Sequence, residues 1–374
     1  MTEWSEMKVI ICGGGTVGHL TPGISIAEII QKNERNSAVL FIGRENGDEN
    51  DVIIRNGFKL KTLKISSFKR RITTKNLKAF SIMLKALRES KKIIKKESPD
   101  IVIGTGGYVC WPVIRAAQKM KIPTVMHESN FSPGLATRSL ASRCDKIMLH
   151  FALSEKEFKR KDNLVTVGNP IPEAFSRITR EEARKKLGLT DRDFFILSFG
   201  GSGGAEKMNE SIISLMKNYS SRKIEIKHLH ACGKKYFEQM KKENDALAKG
   251  HNGCKIVPFI EEMPTYMKAA DTVISRSGAM TLSELSECEI APILIPSPNV
   301  TNNHQYKNAK TFTDSGAALM IEEHELNDRT LIDAVRYLQT NKGIREKIKK
   351  EIAKFKSVNA KKLIYEVIKT TAKK

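Results

Sequence analysis

Two glycine-rich stretches hold the residues best suited to chemistry. Gly13-Gly14-Gly15-Thr16-Val17-Gly18-His19 follows the apolar run Lys8–Cys12, and Gly200-Gly201-Ser202-Gly203-Gly204-Ala205 follows Phe194–Phe199. Glycine admits positive φ and lets a phosphate or sugar approach the main chain. A helix starting just after such a loop aims free N–H groups and a partial positive charge at whatever binds there. The first helix is expected to begin near Thr21-Pro22, where proline's missing N–H costs nothing. His19 sits at that mouth, and an imidazole that titrates near neutrality is a natural general base. It can equally be a histidine that only hydrogen-bonds its loop. The loop is not a clean GxGxxG, so it does not specify a dinucleotide. Gly200–Ala205, with Ser202 and its main-chain N–H groups, can cradle a diphosphate or can be a plain strand-to-helix turn.

Further loops repeat the pattern. Gly104-Thr105-Gly106-Gly107-Tyr108 follows one strand-like run, and Arg276-Ser277-Gly278-Ala279-Met280-Thr281-Leu282-Ser283-Glu284 follows another. Ser277 and Gly278 can open a helix that places Glu284 about two turns in. A carboxylate there can accept two hydrogen bonds from a ribose diol, a pairing that discriminates against analogues lacking the hydroxyls. It can also be a capping or solvated glutamate. His127-Glu128-Ser129-Asn130 places polar groups at a strand's C-terminal end, where open α/β sheets bind ligands. Asn302-Asn303-His304-Gln305 does the same later in the chain, or is an ordinary polar loop. His228 and His230 alternate along a strand and read as structural. Asp191-Arg192-Asp193 precedes its strand, away from the ligand end, so no metal site is read there, and no metal or cofactor is expected.

These loops need strands to present them. Strand-like runs alternate with helical patterns throughout, which is the signature of a parallel α/β sheet. The expected strands are Lys8–Cys12, Ala38–Ile42, Ile101–Ile103, Thr124–Met126 and Lys146–Leu149 in the first half. In the second they are Phe194–Phe199, Ile226–Leu229, Lys255–Val257, Thr272–Ile274 and Ala291–Ile295. Val167-Gly168-Asn169-Pro170-Ile171-Pro172 reads as a linker. The expectation is two Rossmann-like parallel-sheet domains facing a cleft. Residues 1–167 form the first and 168–350 the second. Residues 351–374 form a terminal helix crossing back to the first domain. Such a pair suits an enzyme that holds a sugar nucleotide.

The 374 residues carry 64 Lys/Arg against 42 Asp/Glu, a net charge of +22. Between Lys61 and Lys96 there are thirteen basic residues and one acidic residue, Glu89. Leu77, Phe80, Leu84, Leu87 and Ile94 recur there at helical spacing, with Met83 and Ile93 beside them. The stretch is either a surface helix with its stripe on the core or an amphipathic basic surface for anionic lipid headgroups. Nucleic acid is not the expected partner, because no recognised motif is present and aromatics are 6%. The six cysteines are far apart with no CxxC pair, which argues for free thiols rather than a metal cluster or disulfide framework. No apolar run approaches the ~20 residues that span a bilayer. The acidic Met1–Glu6 lacks the basic region of a signal peptide. The chain is expected to be cytoplasmic, with any membrane contact peripheral.

Taken together, Gly14–Gly23, Gly106–Val109, His127–Asn130, Val167–Pro170, Gly200–Ala205, Arg276–Glu284 and Asn303–Ala309 occur in the order and spacing of one family. Over nearly its whole length the chain resembles the glycosyltransferase family 28 N-acetylglucosaminyltransferases of peptidoglycan synthesis. The resemblance implies a GT-B fold, with residues 1–167 as the acceptor and membrane-binding domain and 168–350 as the UDP-sugar-binding domain. It implies inverting transfer of N-acetylglucosamine from UDP-N-acetylglucosamine to the 4-hydroxyl of the muramoyl sugar of lipid I, an undecaprenyl-linked acceptor, giving lipid II at the cytoplasmic face of the bacterial membrane. It also implies roles for residues. Ser202 meets the diphosphate, and Ile260 meets uracil through its backbone. Ala279, Met280, Thr281, Leu282, Ser283 and Glu284 hold diphosphate and ribose. His304 and Gln305 lie by the sugar and phosphate. Thr16, Val17, Gly18, His19 and Asn130 lie on the acceptor side, with His19 as base.

Two positions depart from the family pattern. Val17 stands where a glycine is usual, which narrows the approach to the backbone. Pro172 stands where an arginine is common, leaving Arg177 or Arg180 as the candidate replacement cation. Other readings remain open: a GT-B transferase acting on another lipid such as diacylglycerol, or a non-catalytic sugar-nucleotide or polyanion binder.

Overall fold

The computed structural model describes residues 7–15, 17–47, 50–65, 74–222, 224–250 and 253–372. The chain forms two units. The first comprises Met1–Pro170 with Ser357–Lys374, and the second comprises Ile171–Lys356.

The first unit is built on a seven-stranded sheet in the order β3-β2-β1-β4-β5-β6-β7. Its strands are β1 (Lys8–Cys12), β2 (Ala38–Arg44), β3 (Lys59–Leu63), β4 (Ile101–Gly104), β5 (Thr124–Glu128), β6 (Lys146–Leu149) and β7 (Leu164–Thr166). Every pairing is parallel. A parallel sheet is covered on both faces, so its central strands must be apolar throughout. Val9 to Cys12 and Ile101 to Ile103 are accordingly all buried. One face packs on the helix Val17–Asn33 through Leu20, Ile26, Ala27 and Ile30. The helix Ala360–Thr371 joins the same cluster through Ile364 and Ile368, and Tyr365 Oη donates to Glu34.

The second unit repeats the plan with six parallel strands in the order β10-β9-β8-β11-β12-β13. They are β8 (Phe195–Phe199), β9 (Lys227–Ala231), β10 (Cys254–Val257), β11 (Thr272–Ser275), β12 (Ala291–Leu294) and β13 (Leu319–Met320). Both units are thus doubly wound α/β domains. Crevices in such sheets open outside the strands' C-terminal ends where the strand order reverses. The reversal falls between β1 and β4 in the first unit and between β8 and β11 in the second. Four glycine loops leave those four strands.

Several expectations need correction. The first helix begins at Val17, so Pro22 lies inside it rather than at its start. Its missing N–H leaves the Gly18 carbonyl without its usual helical donor, and His19 occupies the helix's first turn. Strands β3, β7 and β13 are additional. The charged C-terminal region is three helices, Asp328–Thr340, Lys342–Ala353 and Ala360–Thr371. All six cysteines are buried and free. The basic segment contains the helix Thr74–Glu97, of which Met83, Leu87 and Ile94 pack into the core. The side chains of Leu77 and Phe80 lie outside the described residues. From Met83 onward the apolar stripe serves the core except at Leu84, which is 38% exposed, while Lys85, Arg88, Lys91, Lys92, Lys95 and Lys96 are exposed. No described helix is long and apolar enough to cross a membrane.

Candidate active site

In the first unit the loops after β1 and β4 interlock. Gly107 has φ +80°, and a Cβ there would lie 1.9 Å from the Gly14 carbonyl oxygen. Gly15 has φ +90° and faces the Tyr108 ring, which a Cβ would approach to 2.8 Å. The His19 imidazole lies against Gly106, where a Cβ would sit 2.5 Å from Nδ1. The β4 loop thus forms the floor under His19, a link that sequence spacing could not supply across 86 residues. Gly18 is exposed, while Thr16 and the side chain of Val17 lie outside the described residues.

Asn130 stands on the same edge of the sheet, after β5. Glu128 fixes it by accepting from both the Asn130 N–H at 3.0 Å and its Nδ2 at 3.1 Å, while its other oxygen accepts from Gly134 N–H at 3.0 Å. His127 is a strand residue rather than a loop residue. Its Nε2 donates to the Gly168 carbonyl at 3.0 Å, so Nδ1 accepts from Ser129 Oγ at 3.3 Å. Burial pushes its pKa below the usual histidine value. A neutral, doubly bonded imidazole here braces the loop before the domain linker.

In the second unit, four segments leave the C-terminal ends of β8, β10, β11 and β12. Ser202 is exposed at the tip of Gly200–Ala205. The base of that loop is tight, because Gly204 has φ +71° and a Cβ there would lie 2.1 Å from the Cys232 carbonyl oxygen. Ile260 follows β10 with its side chain buried. Its N–H and C=O carry no hydrogen bond from a described residue.

The helix Ala279–Cys288 starts from Gly278, which offers no side-chain cap, and it follows β11, the strand that pairs with β8 at the reversal of strand order. Ala279, Met280, Leu282 and Ser283 are buried, and Ser283 Oγ donates to Ala279 O at 3.1 Å. The side chains of Leu282 and Ser283 are therefore spent on packing. Thr281 and Glu284 are half-buried. Protein around the Glu284 carboxyl pushes its pKa up to about 8 by desolvation, and no described group hydrogen-bonds it. His304 and Gln305 open the helix His304–Asp314. Ser277 Oγ donates to Gln305 O at 2.8 Å, which joins the β11 and β12 loops. Gln305 Oε1 accepts from Ser297 N–H at 2.9 Å, leaving its Nε2 protons for a ligand.

Arg180 is not a replacement cation. It pairs with Asp271 at 2.7 Å and donates to the Ala270 carbonyl. Asp271 also accepts from Phe195 N–H, which places the group at the strands' N-terminal ends. Arg177 pairs with Glu173 at 3.1 Å. Asp193 is likewise tied to Thr190 N–H at 2.7 Å. A cavity of about 330 Å³ opens beside the β12 loop, lined by Lys207, Pro296, Asn303, Glu323 and His324 among others. Arg276 reaches the same loop and pairs with Glu323. Glu323 and His324 escaped sequence analysis because they follow β13, a strand of two residues.

The chain is similar to known proteins over nearly its whole length. Residues 9–149 match the glycosyltransferase family 28 N-terminal domain, and 195–364 match the family 28 C-terminal domain. A relative from Acetivibrio thermocellus is 40% identical over 98% of this chain and 99% of its own length. One from Caldanaerobacter subterraneus is 38% identical over 97% and 100%. Both are named UDP-N-acetylglucosamine–N-acetylmuramyl-(pentapeptide) pyrophosphoryl-undecaprenol N-acetylglucosamine transferase. Among solved structures, MurG of Acinetobacter baumannii superposes with a TM-score of 0.74 at 23% identity, covering 98% of this chain and 99% of that one. The UDP-GlcNAc 2-epimerase of Neisseria meningitidis bound to UDP-GlcNAc gives 0.67 at 17%, covering 97% and 100%. At those identities the structures establish the fold, which is GT-B. The sequence relatives establish more: the chain belongs to glycosyltransferase family 28, in its MurG group of hexosyltransferases.

Proposed function

We propose that this chain transfers N-acetylglucosamine from UDP-N-acetylglucosamine to the 4-hydroxyl of the muramoyl sugar of lipid I, with inversion, giving lipid II. One observation carries the donor side. Glu284 is a desolvated carboxyl that no described group hydrogen-bonds, half a helix beyond an N-terminus without a side-chain cap. A carboxylate held in that state gains most from a ligand that donates two hydrogen bonds, as a ribose diol does. Ile260 offers a main-chain donor and acceptor to uracil. Ser202, the N–H groups of its loop and the helix from Ala279 receive the diphosphate. Met280 and Thr281 contribute through the backbone of that helix's first turn, whereas the Leu282 N–H already donates to Gly278 O and Leu282 and Ser283 serve the packing; His304 and Gln305 contact sugar and phosphate.

The reaction is a single displacement. The acceptor oxygen attacks the anomeric carbon from the face opposite UDP, and His19 takes the hydroxyl proton. The bond from that carbon to the diphosphate oxygen breaks, and UDP leaves with the electron pair. Donors already aimed at the diphosphate stabilise the charge that develops on it. Thr16, Val17, Gly18 and Asn130 place the acceptor. The exposed cations Lys85, Arg88, Lys91, Lys92, Lys95 and Lys96 suit peripheral docking on an anionic membrane, at the cytoplasmic face where the lipid-linked acceptor lies.

The purified protein given UDP-N-acetylglucosamine and lipid I should release UDP and form a β-linked disaccharide lipid. An α-linked product, or UDP release without sugar transfer, would contradict the reading.

A further inference from the structure

Resting on the reading of His19 as the base, we propose that Thr105 is a positioning residue that sets where His19 stands. Thr105 is 2% exposed. Its Oγ1 donates to the His19 carbonyl at 2.7 Å and lies 3.4 Å from the Cys12 carbonyl. A hydroxyl has one proton, and the shorter contact takes it. Cys12 O is already served by the Thr105 main-chain N–H at 2.9 Å. The hydroxyl therefore acts on His19.

The space around it is shaped for that contact. A Cβ at Gly13 would lie 2.2 Å from Oγ1, and one at Gly23 3.4 Å from it. The turn that carries His19 needs an outside restraint, because Pro22 removes the N–H that would bond Gly18 O. The next residue completes the grip. Gly106 abuts the imidazole, and its N–H donates to Cys110 Sγ at 3.2 Å. Thr105 and Gly106 thus hold His19 at its main chain and at its ring, from the loop that follows β4.

The test compares Thr105→Val, which keeps the shape and removes the hydroxyl, with Thr105→Ser, which keeps the hydroxyl. In Thr105→Val, kcat should fall by about 10- to 100-fold, the cost of displacing a reacting group by an ångström or so, while KM for UDP-N-acetylglucosamine stays unchanged. The imidazole carbon–proton NMR signal of His19, assigned by its loss in His19→Gln, should shift or broaden. Thr105→Ser should restore both to near wild type. A Thr105→Val protein with wild-type kcat and an unmoved His19 signal would overturn the proposal. His19→Ala separates the two ideas and should lose about 10²–10⁴-fold in turnover. Full turnover in His19→Ala alongside a shifted signal in Thr105→Val would sink the base reading and uphold the hold of Thr105 on the histidine.

Discussion

Gly106 lies directly beneath His19, with no room between them: a Cβ at that glycine would come within 2.5 Å of the imidazole Nδ1. Gly106 also has φ +105°, a conformation that side chains rarely adopt. Gly106→Ala should therefore push the ring away and strain the loop. We expect kcat to fall about 100-fold or more, with UDP binding to the other unit unchanged by calorimetry. Turnover within threefold of wild type would show that the ring is not held there.

Gly204 plays the corresponding part in the second unit, pressed against the Cys232 carbonyl. The other side of that carbonyl accepts from Asn209 Nδ2 at 3.0 Å. Asn209 Oδ1 in turn faces His230 Nε2 at 3.0 Å, and Ser198 Oγ bridges His230 and His228 at 2.8 Å each. The carbonyl cannot retreat without breaking that buried series. Gly204→Ala should weaken UDP binding at least tenfold, measured by titration calorimetry, and leave the helices' circular dichroism intact.

Glu284 makes a prediction with a sign. Its pKa is about 8 in the folded protein against 4.5 for an ordinary glutamate, so the native state binds more protons than the unfolded one between those values. Stability contributed at this site is greatest below about pH 4.5 and is lost as pH rises toward 8. Glu284→Gln removes that loss, so its melting temperature should exceed that of wild type at pH 8, by about 2–4 °C for each kcal/mol recovered. Binding should move the other way. UDP-N-acetylglucosamine should bind wild type more tightly at pH 8 than at pH 6, and Glu284→Gln weakly at both. Equal affinity of the two proteins at pH 8 would remove Glu284 from the ribose.

Four buried histidines give the opposite slope. Burial lowers the pKa of His127, holds His150 at about 3 and His230 at about 4, and depresses His228 strongly. Unfolded histidine takes up its proton near pH 6.5. The unfolded chain therefore binds more protons below that value, and stability should fall as pH drops from 6.5 toward 4. Thermal unfolding followed at pH 7, 6 and 5 should show a declining midpoint in both units. A flat profile would mean that these rings are hydrated.

Much of the fold was legible because a parallel sheet demands continuous apolar strands, and ten of these stand out in the chain. The three strands that escaped lie at sheet edges, where Lys59–Leu63 alternates with lysine and Leu319–Met320 spans two residues. The loops were legible for a related reason: positive φ and close approach of one loop to another, as at Gly107 and Gly204, require glycine. What sequence could not supply was pairing across distance. Nothing in the spacing says that Thr105 bonds the His19 carbonyl, or that Arg180 is spent on Asp271. The start of the first helix was misplaced because proline usually marks a first turn, whereas Pro22 is held inside by the packing of Leu20, Ile24 and Ile26 on β1.

One competition tests the identity of the acceptor. The purified protein is given UDP-N-acetylglucosamine with lipid I and diacylglycerol together, in vesicles of fixed anionic lipid content. Sugar should appear on lipid I alone, faster in anionic than in neutral vesicles and slowed by salt. Glycosylated diacylglycerol with lipid I untouched would contradict lipid I as the acceptor.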